Sequence, residues 1–166
     1  MKQFSDSNRM KKFRYIVAAL ALLAVILVPS RVRQDLGWID AVSGSRKTQT
    51  VWRFGLSSKP VIVESPLAAR FKTLDLKWEP AWRNVQGTHR NIFGRSVGSE
   101  HGVAPVIYDL AWNPDLQRTF LAASSDDDVR AFFGLMTSGT EAEQKLAVRE
   151  ACDKALRPYA SARPGE

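Results

Sequence analysis

The sequence predicts an α+β protein: an N-terminal transmembrane helix, then a small domain with an antiparallel sheet (a hairpin near residues 38–54) followed by about three C-terminal helices. Three observations carry that prediction. Tyr15–Val28 (YIVAALALLAVILV) is an apolar run without a charge or a helix breaker. Residues 49–54 alternate Gln49, Val51 and Arg53 with Thr50, Trp52 and Phe54, the period-two signature of a half-buried strand. The last third carries three successive helix-start signatures.

The apolar run sits between basic residues. Lys2, Arg9, Lys11, Lys12 and Arg14 precede it, and Arg31 and Arg33 follow. Counted from Phe13 it is 16 residues, about 24 Å of helix against a bilayer core of ~30 Å, which it spans only if Lys12, Arg14 and Arg31 snorkel. It reads as a retained anchor or as the apolar part of a signal cleaved near Ser30. The basic bias puts the N-terminus in the cytoplasm and the remainder outside, at the inner membrane or, after cleavage, secreted or periplasmic. Four regions follow: a basic cytoplasmic tail (1–14), the anchor or signal (15–30), an extracytoplasmic α+β domain (31–157) and a disordered tail (158–166). The first partner is then the lipid bilayer, through Tyr15–Val28.

Asp40–Trp52 (DAVSGSRKTQTVW) invites a comparison with a phosphate-binding loop. Aligned on Lys47-Thr48, Ala41 and Arg46 occupy the positions where that loop needs glycines, and a strand rather than a helix follows. The stretch is therefore expected to be a hairpin turned at Gly44. Lys59–Glu64 (KPVIVE) is expected to be a short buried strand. Ser65 and Pro66 open a helix with Leu67, Phe71 and Leu74 on one face. Strands are expected around Arg83–Val85 and Arg90–Phe93, with turns at Gly87 and Gly94. Asn113-Pro114, Ser125 with Asp126–Asp128, and Thr140 with Glu143 begin the three last helices.

Charge narrows the function. The chain is +7 overall, but residues 1–14 hold five basic side chains and one acidic one, a topology signal that does not require nucleic acid. Residues 31–95 carry 12 basic and 5 acidic side chains, and 96–166 carry 7 and 11. Two opposed halves suit mutual docking or a basic face toward an anionic ligand or lipid surface. Cys152 is the single cysteine, so no intrachain disulfide forms.

The sequence offers no convergent catalytic set and implies no cofactor. Asp126–Asp128 follow an N-cap, where the helix dipole alone favours them, and they lack the ligand spacing of a calcium loop. His89, Glu100 and His101 are the metal candidates, at a spacing that matches no zinc motif. Ligand-binding candidates are Arg46, Lys47, Arg53, Arg83 and Arg90, which would have to form one basic patch, together with Trp78 and Trp82 as groove walls. The leading expectation is a non-enzymatic module that binds a protein or envelope component. An anionic-ligand module comes second and a metal-dependent hydrolase third.

The order of SGSRKTQT-W, ESPLAARF, WRNVQGT, NIFG and APVIY resembles that of uncharacterised small bacterial proteins with a single N-terminal membrane segment, over about residues 10–155. The resemblance implies an inner-membrane location and assigns no residue a role.

Overall fold

The computed structural model describes residues 4–27 and 30–160. Strands β1 (Arg33–Asp40), β2 (Arg46–Trp52), β3 (Val61–Val63), β4 (Trp82–Arg90) and β5 (Ser96–Glu100) form one antiparallel sheet in the order β3-β2-β1-β4-β5. Among the described residues six helices accompany it: α1 (Phe4–Leu27), α2 (Pro66–Thr73), α3 (Tyr108–Trp112), α4 (Pro114–Ala122), α5 (Asp126–Ser138) and α6 (Glu141–Ala160). The α+β class stands.

The transmembrane helix does not. Among the described residues, no helix is long and apolar enough to cross a membrane. The apolar part of α1 runs only from Tyr15 to Leu27, about 20 Å at ~1.5 Å per residue against a hydrocarbon core of ~30 Å. The hydrophobic core of the domain draws on Ile39 through Ala155 and, among the described residues, takes none from α1.

The turn from Ala41 to Ser45 folds around a carboxylate. Asp40 is fully buried. Its side chain accepts from the Ser43 hydroxyl (2.5 Å), the Trp78 indole N–H (2.8 Å) and the backbone N–H groups of Ala81 (2.8 Å), Ser43 (3.2 Å) and Val42 (3.4 Å). A buried carboxylate persists only when its lone pairs are filled in this way. The network reaches the helices: Ser65 Oγ donates to the Ser43 carbonyl (2.6 Å) while accepting from Ala68 N–H (3.0 Å), the N-cap of α2. Gln117 of α4 accepts from Leu67 N–H (3.2 Å) and donates to the Leu110 carbonyl (3.1 Å). Gly44, at φ 73°, has no room for a side chain, because a Cβ there would lie 2.9 Å from Ala111 Cβ.

Around this hub Ile39, Leu67, Phe71, Ile107, Leu110, Phe120, Val129, Phe132 and Met136 form the core. The expected caps are in place. Asn113 caps α4, Ser125 and Asp128 make a reciprocal box on α5, and Thr140 with Glu143 makes one on α6. Other expectations change. The Val61–Val63 strand is exposed rather than buried, because it is the last strand on its side of the sheet. Gly87 is not a turn but a buried interior position of β4, where the Gln34 and Leu36 side chains fill the space a Cβ would need. Gly94, at φ 75°, does turn the chain between β4 and β5. The C-terminal helix continues to Ala160, and residues 161–166 of the expected tail lie outside the described residues.

Two outcomes are expected. Asp40→Ala strands the Trp78 and Ala81 donors and costs about 3 kcal/mol, and Gly44→Ala costs about 2 kcal/mol. Urea denaturation reads both, and a loss below about 0.5 kcal/mol for Asp40→Ala contradicts the hub. Asp128 is held at about 2 by Lys154 (2.8 Å) and by the Ser125 N–H and hydroxyl. A depressed carboxylate stabilises fully above its unfolded value near 4 and loses that contribution as pH falls toward 2. The stability gap between the wild type and Asp128→Asn therefore closes over pH 4 to 2, as followed by thermal melts; a gap that stays constant there refutes it.

Candidate functional site

The helical core covers only the Ile39 end of the sheet. Farther along, β1 and β2 are half-exposed on both faces, while β4 buries Gly87 and His89. Residues directly opposite one another in antiparallel strands share a face, so the register sorts the side chains.

One face is polar and ion-locked. Asp35 lies opposite Thr50 and Thr88. Its carboxylate accepts from Arg33 Nε (2.8 Å), Thr50 Oγ1 (2.9 Å) and Arg90 Nε (2.7 Å). Partial burial opposes its ionisation, but the bonds from Arg33, Arg90 and Thr50 outweigh it and hold the group below the usual carboxylate range. Arg90 also donates to the Gly94 carbonyl (2.8 Å). A shallow cavity of about 370 Å³ lies over this face.

The opposite face carries a ladder of rings around a cation. Lys47 sits across from Trp38 on β1 and Ile62 on β3. Its ammonium is 4.6 Å from the Trp38 ring centre and 4.9 Å from that of Trp82. Two indole faces around one ammonium make a cross-strand cation–π stack that ties β2 to β1 and β4.

Beside this stack lies an unprotected edge. In β3, Val61, Ile62 and Val63 remain 60%, 58% and 51% exposed, and Phe54 and Leu56 in the preceding loop are 84% and 69% exposed. One side of β3 pairs with β2 and its other backbone edge is open. Pro60 and Pro66 confine it to three residues. The opposite edge, β5, is polar (SVGSE) and ends on Glu100, which meets His89 at 2.7 Å and Arg31 at 4.0 Å.

The candidate residues read from the sequence are dispersed. Arg46 lines a cavity with Val63 and Gln117, Arg53 one with Trp52 and His89, Arg83 one with Val103 and Glu141, and Arg90 the polar sheet face. With Lys47 between tryptophans, the five cations do not form one patch. Trp78 is a core ring, edge-on to Phe71 (5.6 Å) and Phe133 (6.4 Å). Only Trp82 of the two groove candidates borders an open face. His89 and Glu100 are brought together by adjacent strands, but among the described residues no three His, Cys, Asp or Glu side chains are grouped as a metal ion requires. Cys152 is half-buried, and burial, with Asp109 and Asp153 nearby, pushes its thiol up, away from the reactive thiolate. The residue set that sequence reading missed is the β3 edge itself. No protein-family model, curated protein or solved structure matches the chain.

The stack predicts a stability signature. Lys47→Ala is expected to cost about 1 kcal/mol, whereas Arg53→Ala, an exposed cation outside it, stays within about 0.5 kcal/mol. Chemical denaturation of the two variants checks this, and equal values refute the stack as a tie.

Proposed function

We propose that this chain is a non-enzymatic binding module, acting outside the cytoplasm, that takes an extended segment of a partner protein as an added strand beside β3. The observation carrying the proposal is the open, apolar edge of β3. An unpaired row of backbone N–H and C=O groups flanked by exposed Val and Ile is a template for strand addition, with the backbone supplying affinity and alternate side chains supplying selectivity. The polar groups that do converge, Asp35 with Arg33 and Arg90 and His89 with Glu100, satisfy one another, which favours a structural role for both clusters. The basic tail followed by a short apolar run supports export, with residues 1–30 as the segment that directs it.

Both parts can be tested. A photoreactive residue in place of Ile62 is expected to give a discrete crosslinked adduct in cells, and the same residue in place of Ser99 on β5 to give none. Equal labelling from the two edges refutes the binding reading. Intact mass of the extracytoplasmic protein is expected to begin near Arg31; a cytosolic chain that retains residues 1–30 refutes export.

A further inference from the structure

Val63 has a second neighbourhood. It lines a cavity of about 500 Å³ together with Arg46, Gly44, Glu64, Gln117 and Arg118. Arg46 lies directly opposite Val63 across the β2–β3 pair, so both side chains leave the sheet on the same face. A strand added to β3 would project its residue opposite Val63 on that face too, over the mouth of the cavity.

The charges around the cavity are unequally matched. Glu64 is paired with Lys72 at 2.9 Å and Arg118 with Asp115 at 2.5 Å. Arg46 has no ion pair with a carboxylate among the described residues; its guanidinium carbon stands 5.8 Å from the Trp112 ring centre. A guanidinium over an indole face keeps its N–H edge free for a two-pronged bond to a carboxylate. Lys59, two residues before β3, likewise has no carboxylate ion pair among the described residues.

We infer that this cavity receives a carboxylate of the segment that adds to β3, so that the partner is an extended acidic–apolar polypeptide with an Asp or Glu side chain within the added strand that bonds Arg46. The inference rests on strand addition at β3. The apolar residues on either side of that carboxylate fall on the other face, beside Ile62, and the bond to Arg46 fixes the register of the incoming strand.

The test uses fluorescein-labelled peptides and fluorescence anisotropy with the full-length chain in non-ionic detergent at low salt. The first pair is Ser-Val-Thr-Val-Glu-Val-Thr-Ser amide and the same peptide with lysine for glutamate. The second is Ser-Val-Thr-Val with a free or an amidated C-terminus. The glutamate peptide is expected to bind about ten-fold more tightly than its lysine control, with the second pair equal; a difference confined to the second pair overturns the side-chain source. Arg46→Gln is expected to abolish the difference while weak binding remains, and Ile62→Lys to abolish binding, with unchanged melting temperatures showing that both variants fold. Equal binding within both pairs, unaffected by Arg46→Gln but lost in Ile62→Lys, overturns the carboxylate site and leaves the β3 reading standing. No binding by any peptide overturns both.

Discussion

The Asp40 carboxylate is the constraint on which the domain depends. It sits at the end of the central strand, where the chain must reverse, and it binds five donors from two separate stretches: the turn after it, and the segment entering β4, through the indole of Trp78 and the backbone at Ala81. Burying a carboxylate is costly unless every lone pair is used. Satisfying this one requires the hairpin turn, the segment entering β4 and, through Ser43 and Ser65, the first turn of α2 to be placed together. Close packing at Gly44 against Ala111 extends the same arrangement to the helices. Apolar burial around Ile39 and Phe71 supplies much of the driving force, and the polar hub selects which arrangement of that core forms.

The hub and the open β3 edge lie at the same end of the sheet, because β3 pairs with Arg46–Thr48, the part of β2 that pairs with Gly37–Ile39. There the hub and the helices cover one face around Ile39, while Val61–Val63 of β3 stay exposed. Toward Arg33 the sheet has little helical cover and the Arg33–Asp35–Arg90 lock holds it, while the Trp38–Lys47–Trp82 stack braces the face turned away from the helices near Ile39. These brace β1, β2 and β4 without touching the outer edge of β3. A rigid sheet presenting a bare edge suits strand addition, because little ordering remains to be done on binding.

What was legible in the sequence was local. Ser65, Asn113, Ser125 and Thr140 mark their helices because a cap bonds to residues two or three positions away. The hairpin was legible for the same reason. Asp40 gave no sign of being a hub, since its partners Trp78 and Ala81 lie about forty residues on and only the fold brings them near. The exposure of Val61–Val63 depends on which strand ends the sheet, although Pro60 and Pro66 on either side were a hint of an edge. Gly87 read as a turn because a lone glycine between polar residues usually is one; here its missing side chain makes room for Gln34 and Leu36. Grouping the basic residues by sequence interval failed for a geometric reason. Arg46 and Lys47 are neighbours in sequence and so face opposite sides of the sheet. The transmembrane expectation rested on apolarity without enough length.

The strand order also sets an order of assembly. The middle strand is the first of the five to be synthesised, and its two flanks arrive at very different times. β2 follows after a five-residue turn and closes a cheap local loop, whereas β4 begins some forty residues later and is joined to β1 only after that longer loop has closed. A nascent chain that has emitted the hairpin therefore carries β1 with one side unsatisfied. Asp40 is meanwhile without Trp78 and Ala81. Completion of the sheet and satisfaction of the buried Asp40 carboxylate thus share one long-range contact, and the β1–β4 pairing carries the larger loop-closure cost.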